Sequence, residues 1–142
     1  MDAIELRPQL ASFRVVAFSG KHNPIATANP MEMAFEMQPQ IDLELRLPTE
    51  KENPLEAVVH IKIIGKAALK DLPDQPVGHF EAEYEARFVY PANVKESDIT
   101  PRFEREPYQY TLVSQAFPLA SSHFRRELLS MGIDVRNLPL GL

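Results

Sequence analysis

The chain contains no cysteine, and its five glycines are outnumbered by thirteen prolines in 142 residues. The lack of cysteine excludes disulfides, cysteine-based zinc sites and a thiol nucleophile. No apolar run approaches the ~18 residues of a membrane helix, and the start, Met1–Glu5, lacks the basic region of a signal peptide. We therefore expect one cytoplasmic domain over residues 1–142, without membrane insertion.

Charge is unevenly distributed along the chain. Fifteen basic and twenty acidic side chains give a net charge of −5, which argues against nucleic acid as a partner. The segment 31–56 holds seven of the acids and only two bases. Two interpretations of this segment stay open, a surface for a basic partner or an ordinary solvated strand face.

Four stretches alternate apolar and polar residues, and they cover Ala11–Phe18, Met33–Leu47, Leu55–Ala68 and Val77–Tyr90. Successive side chains of a strand point to opposite faces, so each stretch predicts a strand with one apolar face. One-sided strands joined by short turns indicate an antiparallel sheet, and their consecutive order favours a meander. Pro39 cannot donate to a sheet ladder, which predicts a bulge or an edge strand there.

A different period follows, with apolar residues recurring every four positions at Leu112, Ala116, Ala120, Phe124 and Leu128. This stripe is typical of an amphipathic helix. Pro107 suits its first turn, Gly132 its C-terminal stop, and Pro118 interrupts its interior. The segment 92–106 is predicted as a polar connection, and 133–142 as too short for another packed helix. The fold class is α+β, a four-stranded antiparallel sheet with a long proline-interrupted C-terminal helix.

One helix is narrower than the apolar face of such a sheet. Uncovered apolar area normally marks an interface. We therefore expect an oligomer rather than a monomer, with the helix stripe as its interface, formed by Leu112, Ala116, Ala120, Phe124 and Leu128.

Catalytic equipment is hard to find in this sequence. The four histidines have no metal-ligand spacing, and no serine elbow, dinucleotide motif or phosphate loop is present. Glu81, Glu83 and Glu85 point the same way along one predicted strand, but an open sheet face lacks the cleft that catalytic carboxylates need. We expect neither an enzyme nor a metal or cofactor. The three glutamates are interpreted as a partner-binding surface, with a plain solvated face as the alternative.

Two segments resemble the SecB export chaperones. Phe80–Tyr90 is similar to the last main strand of that family, and Pro118–Met131 is similar to the helix that follows it. Within the helix, Phe124, Arg126 and Glu127 match the aromatic residue, arginine and glutamate of the family's Pro-Tyr-Ala-Arg-Glu signature. The order of elements also agrees, with a short strand, a long crossover loop, three long strands and a proline-interrupted helix.

The chain also departs from the family pattern. His123 and Arg125 stand where the signature has proline and alanine, and Ala86 stands where the strand usually has glycine. Export-type members continue into a second helix and an acidic tail that helps to engage the SecA motor, and both are expected to be missing after Leu138–Leu140. The sequence therefore resembles the divergent SecB-like proteins, some of which serve toxin–antitoxin systems, phages or mobile elements.

The resemblance implies an ATP-independent holdase that binds unfolded or pre-secretory polypeptides during protein export. It implies a homotetramer, a dimer of dimers, whose partners are unfolded clients and either SecA or an antitoxin. The implied hydrophobic groove is assigned to Pro24, Ile25, Met31, Phe35, Phe88 and Phe117, and partner binding to Glu81, Glu83 and Glu85. The alternative is a dedicated binding subunit with one partner, such as a toxin–antitoxin protein.

Overall fold

The computed structural model describes residues 7–29, 32–48 and 54–133. Its elements in chain order are the strands β1 (Gln9–His22), β2 (Met33–Arg46), β3 (Glu56–Leu69) and β4 (Leu72–Val89), followed by the helices α1 (Glu96–Phe103) and α2 (Glu106–Ser130). The four strands form one antiparallel sheet. The predicted α+β class, the sheet and the C-terminal helix that contains Pro118 are therefore confirmed.

The strand order is β1-β4-β3-β2. The predicted meander holds for β2, β3 and β4, but it is wrong for β1, which lies beside β4. The connection from Asn23 to Glu32 therefore leads from one edge of the sheet to the other, since β1 and β2 are not neighbours. Both β1 and β2 are thus edge strands. Pro39 lies on β2 in unbroken register with β3, so the edge alternative of its prediction is confirmed.

The core lies between the two central strands and α2. Odd positions of β3 and even positions of β4 face the helix, because residues such as Ile61 and Tyr84 are cross-strand partners on one face. These side chains are almost fully buried, whereas the apolar side chains of β1 and β2 on the same face are part-buried or, at Val15, exposed. The central strands therefore supply the core and the edge strands supply its rim.

Both ends of α2 follow the sequence signals. Pro107 lies in its first turn, as predicted. After the C-cap residue Met131, Gly132 adopts a φ of 85° and donates its N–H to the carbonyl of Leu129 at 2.9 Å. The N–H of Ile133 reaches the carbonyl of Leu128 at 3.0 Å. This pair of bonds is a Schellman motif, which requires a left-handed residue where Gly132 stands.

The helix α1 corrects the prediction of a polar connection over residues 92–106. Its start is stabilised by the carboxylate of Asp98, which accepts the backbone N–H of Lys95 at 3.0 Å. Ile99 is its one fully buried side chain, so the helix has too few apolar positions to show a periodic stripe. Pro101 lies inside the helix, and a proline at such a position argues against a helix when the sequence is considered alone. The predictions for residues 134–142, including the missing second helix and tail, lie outside the described residues.

Candidate functional site

The residues predicted to line one groove lie in different parts of the fold. Phe35 pairs with Ala67 of β3 and Phe88 pairs with Ala57, ten positions away along the same strand. That separation is roughly 33 Å. Phe88 and Phe117 are 0% and 3% exposed and belong to the core. Met31 lies outside the described residues.

Three of the groove residues lie at one end of the sheet, which we call the loop end, although they belong to its two opposite edges. The loop end consists of the cross-strand row His22, Gly78, Ala67 and Phe35 together with the loop 23–29 that leaves β1. The loop is anchored to the sheet because Asn23 donates its N–H to the carbonyl of Val77 at 2.8 Å. Pro24 and Ile25 in this loop therefore lie at the same end of the sheet as Phe35.

The loop itself is a tightly bonded turn. The Oδ1 atom of Asn23 accepts the backbone N–H of Ile25 at 3.1 Å and that of Ala26 at 3.4 Å. The hydroxyl of Thr27, a buried residue, bonds the carbonyl of Asn23 at 3.0 Å and Nδ1 of His22 at 2.7 Å. Side-chain bonds of this kind stabilise a specific turn conformation. Ile25 is 89% exposed, so this hydrogen-bonded turn presents an aliphatic group to solvent.

Below the loop end lies an aromatic cluster of Phe18, Phe35, Phe80 and Phe124. The ring centroids of Phe35 and Phe80 are 6.1 Å apart, and those of Phe18 and Phe124 are 6.0 Å apart. Gly65 gives these rings room, since a Cβ there would lie 2.7 Å from Cζ of Phe35 and 3.0 Å from Cζ of Phe124. The glycine thus allows rings from β2 and α2 to meet over β3.

The stripe of α2 that was predicted as an oligomer interface faces the sheet of its own chain. Its five members are at most 1% exposed, and they are Leu112, Ala116, Ala120, Phe124 and Leu128. The outward side of α2 carries exposed apolar side chains at Tyr110, Leu119 and Leu129. The interface role of the stripe stays a prediction.

The three glutamates of β4 lie on the sheet face opposite α2. Glu85 is paired with Arg14 at 2.9 Å, and Glu81 lies 3.4 Å from Nε2 of His79. Glu83 is exposed and stands opposite Lys62 in the β3–β4 register. The row is therefore set among basic side chains rather than forming a continuous anionic surface. Its partner-binding role stays a prediction.

The sequence did not reveal a chain of polar contacts that links α2 to the sheet. The hydroxyl of Tyr84 and Nδ1 of His123 share a hydrogen bond of 2.9 Å, and Nε2 of His123 lies 3.4 Å from a carboxylate oxygen of Glu127. A neutral imidazole protonated at Nε2 satisfies both contacts. Burial raises the pKa of Tyr84, which keeps its hydroxyl a donor. The spacing of His123 and Glu127 on one helix face is a visible signal, but Tyr84 is too distant in sequence to be inferred.

The opposite end of the sheet, which we call the tyrosine end, contains a second feature that the sequence did not reveal. The hydroxyls of Tyr90 and Tyr108 share a hydrogen bond, and burial is the main cause that raises the pKa of each. Beside Tyr108 lies a cavity of about 660 Å³ whose lining includes Arg7, Arg102 and Arg105. These arginines come from three separate segments, so no local sequence motif predicts that they lie together.

No group of three or more histidines and carboxylates within residues 7–29, 32–48 and 54–133 could hold a metal ion. In the same ranges, no helix combines the length and apolar character that crossing a bilayer requires.

Comparison with known proteins gives a likeness in fold. No protein-family model and no curated protein matches this chain. Among solved structures, it is similar to a SecB-like chaperone of Mycobacterium tuberculosis in complex with a ChAD peptide from the HigA1 antitoxin. The TM-score is 0.63 at 14% identity, and the match covers 96% of this chain and 89% of that one. The likeness establishes that this chain has a SecB-like fold, as the sequence resemblance predicted.

Proposed function

We propose that the protein is an ATP-independent holdase of the SecB-like type that binds unfolded or pre-secretory polypeptides. The observation that carries the proposal is the likeness of nearly the whole chain to a SecB-like chaperone solved with a bound peptide. Since the two chains share 14% identity, the argument for binding also needs features of this chain itself. The loop end supplies them.

The loop end combines an exposed anchor with an unpaired strand edge. Ile25 is held out by the bonded turn, and β2 is an edge strand that carries part-buried Met33, Phe35 and Met37 on the α2 side. An extended polypeptide can add to a free strand edge through main-chain hydrogen bonds, which do not depend on its sequence. The flexible thioethers of Met33 and Met37 adapt to side chains of different shape. Together these features suit clients of varied sequence.

The proposal includes assembly and location. By analogy with the family, the protein would act as a cytoplasmic homotetramer, a dimer of dimers, with SecA or an antitoxin as a further partner. Light scattering on the purified protein should then give a mass of about 64 kDa, four times the chain mass of 16.1 kDa. A stable 16.1 kDa particle at micromolar concentration would contradict the assembly.

The activity can be tested with a denatured model client diluted into buffer without ATP. We expect the protein to suppress client aggregation, measured by light scattering, at a stoichiometric ratio. Ile25→Ser should weaken client binding about tenfold, because one buried aliphatic side chain contributes about 1.5–3 kcal/mol. Leu47→Ser is the matched control, since Leu47 is 50% exposed and lies near the Arg46–Glu56 pair at the other end of the sheet. Aggregation unchanged by the wild-type protein would reject the holdase.

A second candidate is a dedicated binding subunit with one partner. It is favoured by the neighbouring structure, whose bound peptide derives from an antitoxin. Native mass spectrometry of the protein purified from its host distinguishes the two candidates. One partner at fixed stoichiometry would favour the dedicated subunit, whereas a spread of substoichiometric clients would favour the holdase.

A further inference from the structure

The cavity at the tyrosine end is lined by arginines from three segments of the chain. Arg7 precedes β1, Arg102 lies in the last turn of α1, and Arg105 is the N-cap residue of α2. Its volume of about 660 Å³ is within the range of ligand-binding cavities. The α1–α2 junction and the start of β1 therefore form one concave site, which we call the arginine cavity.

All the charged side chains that line this cavity are positive, although the exposed Glu104 and Glu106 flank Arg105 in sequence outside the lining. Guanidinium groups stay protonated at all physiological pH values. None of the three arginines forms an ion pair with a described residue, and no acidic residue lines the cavity. The first turn of α2 also lines it, and the N-terminus of a helix adds a partial positive charge. A net positive site in a chain of net charge −5 calls for an anionic occupant.

The apolar part of the lining indicates which kind of anion fits. Pro8, Pro107 and Leu112 contribute apolar walls, and the ring of Tyr110 lines the same cavity although its residue is 65% exposed. A small inorganic anion makes no use of such walls. A carboxylate on a peptide does, because the guanidinium forks bind the carboxylate while aromatic and proline surfaces cover the neighbouring side chain.

We propose that the arginine cavity binds an acidic polypeptide segment in which aspartate or glutamate is flanked by an apolar side chain. The carboxylates pair with Arg102 and Arg105, and the apolar side chain packs against Tyr110 and Pro107. This inference rests on the proposed polypeptide-binding function and adds a charge preference to it. The cavity is separate from the loop end, since the two lie at opposite ends of the sheet.

The test uses the purified full chain and two fluorescent peptides measured by anisotropy. One peptide alternates glutamate with leucine and tyrosine, and the other carries glutamine in place of each glutamate. The variant R102Q/R105Q removes two charges from the cavity. The matched control R125Q/R126Q removes two charges from α2 outside the cavity lining. Circular dichroism melts of both variants confirm that they stay folded.

We expect the wild-type protein to bind the acidic peptide at least tenfold more tightly than its amide counterpart, because charge-assisted pairs are about twice as strong as neutral ones. R102Q/R105Q should abolish this preference, while R125Q/R126Q should change affinity less than twofold. Tyr110→Ser should weaken binding of the acidic peptide, because it removes the apolar wall. The acidic peptide should still bind more tightly than the amide peptide, because both arginines remain. Equal binding of the two peptides by the wild-type protein, or equal loss in both double variants, would overturn the proposal.

Two further outcomes are informative. If inorganic phosphate bound as tightly as the acidic peptide and displaced it, the cavity would be a small-anion site and the proposal would be overturned. The aggregation assay separates this inference from the proposed function. Loss of the acidic preference with client protection intact overturns the cavity alone, whereas loss of client protection in the wild-type protein rejects the holdase.

Discussion

The two ends of the sheet are built from different interactions, although the same two strands and the same helix run through both. Near the loop end, Phe35 and Phe124 meet at the space left by Gly65, and Phe80 and Phe18 pack against them. At the tyrosine end, the hydroxyl of buried Tyr90 and that of part-buried Tyr108 bond to each other beside three arginines. One end thus depends on the shape of its side chains, and the other on hydrogen bonds and charge.

This difference between the two ends shows how one small chain can present two kinds of surface. Apolar packing at the loop end supports an exposed aliphatic anchor, whereas polar construction at the tyrosine end tolerates a charged cavity next to the core. The ends are roughly 33 Å apart along β3, so an extended segment needs about ten residues to reach both. Three changes test this contrast in order of decreasing effect.

Phe124→Ala should have the largest effect, because it removes a fully buried ring from the aromatic cluster. Deleting such a ring lowers the free energy of unfolding by about 3–5 kcal/mol. Urea denaturation followed by circular dichroism measures the loss. Leu129→Ala on the same helix is the control, since Leu129 is 62% exposed and should change stability by less than about 0.5 kcal/mol. A loss below 1 kcal/mol for Phe124→Ala would show that the loop end does not depend on shape.

Gly65→Ala should have an intermediate effect on the same end. The new methyl group would meet Cζ of Phe35 at 2.7 Å, so the ring must move outward. Overpacking of this kind costs about 1–3 kcal/mol of stability. Adding Phe35→Leu should recover part of the loss, because leucine has no atom at that position. A Gly65→Ala protein as stable as the wild type would mean that the cluster is loosely packed.

Tyr90→Phe should have the smallest effect at neutral pH, a loss of about 1 kcal/mol for the shared hydrogen bond. The pH dependence is more diagnostic. Burial raises the pKa of Tyr90 above its unfolded value of about 10, so the neutral hydroxyl stabilises the fold below pH 10 and this contribution is lost as pH rises further. Between pH 10 and 11, wild-type stability should fall more steeply than that of Tyr90→Phe, by up to about 1.4 kcal/mol per pH unit. Equal slopes in the two proteins would contradict a buried hydroxyl.

Much of the fold could be predicted because three strands and one helix each bury a single face. Burial of one face produces the alternation in β2, β3 and β4 and the four-residue spacing in α2. The prediction of β1 covered only Ala11–Phe18, since register shifts between Leu10 and Ser12 and between Val15 and Ala17 interrupt its alternation. The local sequence does not show that β1 lies beside β4, because strands that pair across a long sequence separation share no periodicity.

The candidate sites were less predictable for a related reason. Pro24, Ile25 and Phe35 were identified from their loop and strand positions, and the structure brings them to one end. Phe88 has the same apolar character but lies at the opposite end, since alternation shows which face a residue occupies and not where along the sheet its neighbours lie. The arginine cavity unites Arg7 with Arg102 and Arg105, and only the folded chain brings these residues together.

The strand order has a consequence for how the chain is made. β1 leaves the ribosome first, yet its partner β4 is the last strand to be synthesised. Phe13 pairs with Ala86, roughly 70 residues later, which is roughly 4–14 s of translation. During that interval β1 is an apolar segment without its strand partner, while β2, β3 and β4 can form hairpins in turn. The sheet is thus completed only after β1 has remained unpaired until β4 is synthesised.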